Sequence, residues 1–335
     1  MVKDDLIDKR LPRTQALAMT TFFAPDRDLQ TALEGVLEQV RAEFELTPTQ
    51  IAVTWVVYDP PYIVNTGGAL SATDFWQHRP RGASYRGVEL IYPASVVKLF
   101  YLVAAHEWLE QGMLSPSGEL DRALKDMIVD SSNDATALVV DMLSGTTSGP
   151  ELPPGPFATW CHQRNIVNRF FQSLQWPELA GVNLNQKPWG DGPYGRERAF
   201  VGEHYENRNR LTTDAVARLI HSIAGGVAVS AARSQTMLSL MARPVPAAPP
   251  EPGEEDQFTG FLGEGLPPGT RLYAKAGYTS RVRHDAAYFE LPNGTPGLLV
   301  AFTEGREHSQ NRHILPRLAG LIAQHMVTAS TAPLG

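Results

Sequence analysis

Two residues set the chemistry that this chain can offer. Ser95 lies in Tyr92-Pro93-Ala94-Ser95-Val96-Val97-Lys98-Leu99-Phe100, and Lys98 follows it by three positions. The run continues as Tyr101-Leu102-Val103-Ala104-Ala105, so the spacing predicts an apolar helix opening near Ser95. One helical turn then brings the Lys98 amine over the Ser95 hydroxyl. A serine becomes a competent nucleophile when a nearby base takes its proton. A lysine among apolar neighbours is such a base, because burial disfavours its charged form. An N-cap serine beside a surface lysine would fit the same four residues. Two further short elements follow in order, Ser131-Ser132-Asn133 and Lys275-Ala276-Gly277.

The ordered trio resembles the penicillin-recognising serine hydrolases, and class A β-lactamases most closely, whose signature is Ser-x-x-Lys, Ser-x-Asn and Lys-Thr-Gly. The likeness spans roughly residues 26–328. It implies a Ser95 nucleophile and an oxyanion hole made by the backbone N–H groups of Ser95 and Tyr278. Lys98 would take the serine proton, and Ser131 would pass a proton to the leaving nitrogen. Asn133 would hold the substrate amide, and Lys275 would hold Ser131 and attract a substrate carboxylate. Ala276, Gly277, Thr279 and Arg283 would complete the substrate side, the arginine by its bidentate fork. Helix capping by Ser131 and Asn133, and solvated strand ends for Lys275 and Arg283, are the structural alternatives.

Three features depart from that pattern. Ala276 stands where a hydroxyl residue is usual, with Thr279 or Ser280 as replacements. Ser131 follows Ser95 by only 36 positions. The deacylating glutamate of Glu-x-x-Leu-Asn is absent, although Val182-Asn183-Leu184-Asn185-Gln186-Lys187-Pro188-Trp189 resembles the approach to its loop. Glu197, Glu203 and Glu206 are the candidate acids further along.

These groups need a scaffold. Periodicity predicts a helix over 26–44 and a strand over 51–58, with a second short strand over 62–64. Residues 67–90 read as a loop insertion. Helices follow over 95–112, 120–131, 135–143 and 157–174. Residues 177–211 lack periodicity, and a loop of that length is usually functional. Helices over 215–224 and 230–242 precede a proline-rich acidic connector at 244–255. Strands over 271–277 and 286–291, a Pro292-Asn293-Gly294 turn, a strand over 297–303 and a helix over 311–328 complete the chain. The expected class is α+β, a β-lactamase/transpeptidase-like antiparallel sheet flanked by helices with an inserted all-helical subdomain. The sheet lobe takes residues 26–90 and 256–330, the helical lobe 91–255, and residues 1–25 form a loosely attached arm.

The 335 residues are 43% hydrophobic and 19% charged, with a net charge of −7. That balance argues against nucleic acid and anionic membranes as partners; a small-molecule substrate carrying a carboxylate is what the resemblance implies. The single cysteine, Cys161, excludes an internal disulfide and reads as a small buried hydrophobe. Nine histidines show no metal-ligand spacing, and no cofactor loop is present; His284-Asp285 is the most suggestive pair, with a strand-end polar pair as its alternative. The mixed-charge N-terminus lacks a signal-peptide run, so a cytoplasmic address is expected, against a periplasmic or secreted precedent in the family.

The expected activity is a β-lactamase-like hydrolase working through a Ser95 acyl-enzyme on a β-lactam or related amide or ester, which the family's role in antibiotic resistance would suit. A D,D-peptidase of the penicillin-binding type, an esterase and a glutaminase-like amidohydrolase are the enzymatic alternatives. A non-catalytic β-lactam- or muropeptide-binding protein is the remaining one.

Overall fold

Asp26 begins the first long element. Its Oδ1 accepts from the backbone N–H groups of Asp28 and Leu29, both at 2.9 Å, and so caps helix α1, Arg27–Phe44. The Leu29 bond foremost, then the Arg81 guanidinium, holds the Asp26 carboxyl below the usual range. Leu29, Leu33, Val36, Leu37 and Val40 recur at helical spacing and are all buried. Each such side chain contributes about 1.5–3 kcal/mol on burial. The computed structural model describes residues 21–58, 68–188, 192–245 and 256–331. The expected strand at 62–64 and most of the 244–255 connector lie outside them.

Among the described residues the stripe of α1 packs on a seven-stranded sheet whose order is β1-β3-β2-β7-β6-β5-β4. The strands are β1 Ala24–Pro25, β2 Ile51–Val57, β3 Arg81–Tyr85, β4 Ala242–Arg243, β5 Arg271–Tyr278, β6 Val282–Glu290 and β7 Pro296–Glu304. Neighbours are antiparallel except β1 with β3, which run parallel. The described part of the expected arm is therefore not loose. Phe22 and Phe23 are buried, and Ala24–Pro25 form the edge strand. The last helix, α12 Ile314–Thr331, contributes Leu315, Leu318 and Ile322 to the same core.

Residues 67–90 are not a plain insertion. Ser71 Oγ accepts from Asp74 N–H at 3.1 Å and caps helix α2, Ala72–Gln77. β3 follows and carries few of the residues that mark strands. Gly82 is needed there, since a Cβ would lie 2.7 Å from the Phe23 ring.

The chain divides into two compact units, residues 97–211 and residues 22–96 with 212 onward. The first is helical: α3 Lys98–Glu110, α4 Gly118–Ile128, α5 Asn133–Ser144, α6 Pro154–Arg164, α7 Ile166–Ser173 and the short α8 Gly195–Val201. The single helix expected over 157–174 is broken at Asn165. The Asn165 side chain and its own N–H both donate to Cys161 O at 3.1 Å and close the last turn of α6. Cys161 itself is only half-buried.

Helices α9 Thr213–Ala224 and α10 Ala231–Met241 belong with the sheet rather than with the helical block, which shortens the expected helical lobe from 91–255 to 97–211. The reason is packing: α9 is buried along its whole length, and a polar knot ties it to β2. Thr54 Oγ1 donates to Asp214 Oδ1 at 2.6 Å and lies 2.8 Å from Thr213 Oγ1. A short helix, α11 Arg306–Gln310, connects β7 towards α12.

Candidate active site

In the helical unit the motif residues meet at Lys98, the first residue of α3. The helix is buried except at Glu107 and Glu110, and Lys98 is 0% exposed. Its Nζ lies 2.6 Å from Ser131 O, 3.2 Å from Ser131 Oγ and 2.9 Å from Asn133 Oδ1. Burial alone lowers its pKa from 10.5 to about 7. A neutral amine can donate to the two carbonyl-type oxygens and accept from the Ser131 hydroxyl.

The loop from α4 to α5 creates that cage. Ser131 sits at φ 55°, in the left-handed region that non-glycine residues rarely occupy. The cap of α5 is Ser132, whose Oγ accepts from Ala135 N–H at 3.1 Å. Capping thus falls on the middle residue of the motif, and Ser131 and Asn133 on either side bind Lys98. Because Asn133 Oδ1 takes the lysine, its Nδ2 hydrogens remain as donors for a carbonyl.

The candidate acids lie elsewhere in this unit. Glu197, on α8, is 0% exposed, with Arg164 Nη2 at 2.6 Å, Ser148 Oγ at 2.9 Å and Lys187 Nζ at 3.9 Å. Asp141 joins the cluster through Lys187 Nζ at 2.6 Å and Arg164 Nη2 at 3.2 Å. Glu203 and Glu206 are exposed. Backbone N–H groups, its own first and that of His204 next, hold the Glu206 carboxyl below the usual range. Beside this cluster, carboxamides of Asn165, Asn168, Asn183, Asn185, Asn207 and Asn209 bond to one another and to the main chain of 183–210. Tyr101, one turn along α3 from Lys98, donates to Gln186 O at 2.9 Å.

In the sheet unit the turn that carries Ser95 rests on β5. Ser95 lies in a 3-10 turn, Ala94–Val97, that leads directly into α3. Ala94 before it stands at φ 46°. A Cβ on Gly277 would lie 2.8 Å from Ser95 N and 2.9 Å from both Pro93 O and Val96 N, so only glycine fits. Thr279 N–H donates to Val282 O at 2.9 Å, which turns the Tyr278 N–H away from β6 by the two-residue alternation of a strand. The Ser95 and Tyr278 N–H groups are thereby near neighbours. β4 covers β5 only at Leu272 and Tyr273, so the rest of that edge carries no strand among the described residues.

Lys275 is buried; its Nζ donates to Gln257 Oε1 and, at 2.8 Å, to Ala276 O. The Ala276 side chain is in the hydrophobic core, so the position expected to carry a substrate-binding hydroxyl offers only its backbone. Arg283 donates through Nε to Ser309 O at 2.8 Å and stacks on Phe261, 4.7 Å from the ring centre. It borders a cavity of about 280 Å³ with Tyr278, Thr279, Ser280, Gln310 and Arg312. Nothing in the sequence marked Gln257, Gln310 or Arg312, which come from separate segments. His284 and Asp285 are both buried, on opposite faces of β6.

Comparison with known proteins places this architecture. The profile of the Beta-lactamase enzyme family matches residues 119–326, a span holding Ser131, Asn133 and Lys275. The chain belongs to that family. No curated protein matches it. Solved structures of β-lactamase fold resemble it over almost their whole length. A point mutant of PBP-A, as an acyl-enzyme complex with penicillin G, is 16% identical, with 91% of this chain and 98% of that one covered and a TM-score of 0.59. A β-lactamase from Sphaerobacter thermophilus is 18% identical, covers 88% and 98%, and has a TM-score of 0.57. A β-lactamase from Xanthomonas campestris is 15% identical, covers 88% and 98%, and has a TM-score of 0.58. The protein therefore has the β-lactamase fold of a family of serine hydrolases that act on small molecules. Among the described residues no helix is long and apolar enough to cross a membrane.

Proposed function

We propose that this protein is a serine acyl-transfer enzyme that opens a β-lactam, or a related amide or ester, through a Ser95 acyl-enzyme. The buried Lys98 cage carries the reading. A lysine with a pKa lowered to about 7, three residues after a serine, is partly neutral near neutral pH and able to accept a proton. Ser95 Oγ attacks the carbonyl as its proton passes to Lys98. The Ser95 and Tyr278 N–H groups stabilise the oxyanion. The C–N bond breaks, and Ser131 delivers a proton to the nitrogen. Asn133 holds the substrate amide, and Arg283 with Lys275 favours a carboxylate on the substrate.

A second reading concerns how the acyl group leaves. The partners of Lys98 are serine and asparagine oxygens, and Glu197 is engaged by two cations. That arrangement favours a persistent adduct, as a penicillin-binding enzyme would form, over rapid hydrolysis.

Intact-mass measurement after incubation with penicillin G tests both readings. An adduct on the wild type, absent from Ser95→Ala, is expected, and absence of both adduct and turnover counts against the proposal. A chromogenic cephalosporin then separates the two: a stoichiometric burst marks the persistent adduct, and continuous turnover marks a lactamase.

A further inference from the structure

His284 is a buried group that this chemistry does not use. It stands opposite Gly277 on β5 and opposite Phe302 on β7, so the three form one row across the sheet. Its ring stacks on Phe302, with centroids 4.3 Å apart and planes at 28°. Thr303 N–H donates to His284 Nδ1 at 3.2 Å. Nδ1 is thus the acceptor nitrogen, and Nε2 carries the hydrogen. Nε2 lies 2.9 Å from Tyr92 O, which can only accept.

Tyr92 opens the turn that ends at Ser95. Within it Ala94 holds a left-handed φ of 46°, and Val96 N–H donates back to Pro93 O at 3.1 Å. Such a conformation persists only where its surroundings enforce it. Gly277 supplies the space beneath the turn, and the Tyr92 carbonyl is where the sheet grips it.

We infer that His284 is a positioning residue for the nucleophile: by holding the Tyr92 carbonyl it keeps Ala94 in its left-handed conformation and fixes the Ser95 N–H over Gly277. The inference rests on Ser95 being the acylated residue. Its effect belongs to the chemical step, since His284 meets the turn from the sheet side and touches no substrate.

The test compares wild type with His284→Phe, which keeps the stack on Phe302 but has no donor, and His284→Gln, whose amide reaches as far as Nε2. Stopped-flow labelling with a fluorescent penicillin gives the dissociation constant and the acylation rate separately. With melting curves confirming folded protein, His284→Phe is expected to acylate roughly 10–10²-fold more slowly at an unchanged dissociation constant, the scale of a misplaced reacting group. His284→Gln is expected to recover most of the loss. A folded His284→Phe that acylates at the wild-type rate overturns the inference. Should His284→Phe not fold, His284→Asn replaces it, and equal rates for the Asn and Gln variants overturn it. A crystal structure of the variant reads the clamp without activity: Ala94 is expected to leave the left-handed region, and an unmoved Ala94 refutes the clamp. Wild-type protein that forms no adduct refutes the Ser95 acyl-enzyme instead, and the Ala94 readout still decides the role of His284.

Discussion

Lys98 shows how much one burial event does. The ammonium loses solvent, its pKa falls to about 7, and a basic residue becomes a proton acceptor at neutral pH. The acylation rate is therefore expected to rise with pH through about 7, as Lys98 loses its proton, and to level off above, in stopped-flow labelling across a pH series. Lys98→Ala is expected to lower that rate roughly 10²–10⁴-fold, the usual worth of a general base. Lys98→Arg is expected to be about as slow, because a guanidinium keeps its proton at every accessible pH. The pairing of Ser95 with Lys98 stood out in the sequence because a serine and a lysine sit one helical turn apart in an apolar run. The environment of Glu197 was not. Its partners Asp141, Ser148, Arg164 and Lys187 are scattered through the unit, and no spacing links them.

At the scale of elements, two contacts decide whether the parts hold their places. Gly277→Ala drives a methyl into Ser95 N, Pro93 O and Val96 N, all backbone atoms that cannot swing aside. It is expected to abolish measurable acylation while the far-UV spectrum stays that of a folded protein. The ion cluster pins α8 to α5 and α6. Removing one partner from a buried ion pair costs about 3–5 kcal/mol, so Arg164→Met is expected to lower the melting temperature markedly. Glu197→Gln separates structure from chemistry. The expected result is a lower melting temperature with an unchanged acyl-enzyme lifetime, whereas a strongly lengthened lifetime would make Glu197 the deacylating acid. Strong periodicity made α1, β2, β5 and β7 readable. α2 and β3 escaped because β3 offers Gly82, Ala83 and Ser84, and pairing with β2 imposes the strand there. The break at Asn165 escaped because apolar residues on both sides continue the helical pattern.

For the molecule as a whole, the order of elements carried the architecture: strands, a helical block, then strands that return to the same sheet. The boundary at Leu211 rather than near residue 255 depends on the face of α9 that meets β2, β6 and β7. The sheet unit also stores a pH dependence. Burial lowers His221 from 6.5 to about 3 and His284 from 6.5 to about 4, so the folded state keeps both neutral. A depressed pKa gives stability that is complete above 6.5 and is lost as pH falls toward the folded values. Asp285, raised by burial to about 6, gains stability over the same range and offsets part of that loss, so denaturant titrations are expected to show a net fall on the order of a few kcal/mol from neutral pH to about 4. His221→Phe is expected to flatten that slope, and an unchanged slope would assign the acid sensitivity to other groups.

The carboxamide lattice around Asn185 has a consequence of a different kind. Its members hold the long 182–210 segment with groups that carry no charge and never titrate, so that fastening is indifferent to pH and to salt, unlike the ion cluster beside it. Its weakness is covalent. Asn185 shares its Nδ2 hydrogens among the carbonyl oxygens of Asn165, Asn183 and Asn207. Hydrolysis of that one amide would replace the donor with a carboxylate facing three acceptors. Asn185 is buried and the Gln186 N–H that would attack it is held by Asn209 Oδ1, so deamidation there has to follow local opening of the segment, and its rate in stored protein is expected to report that opening.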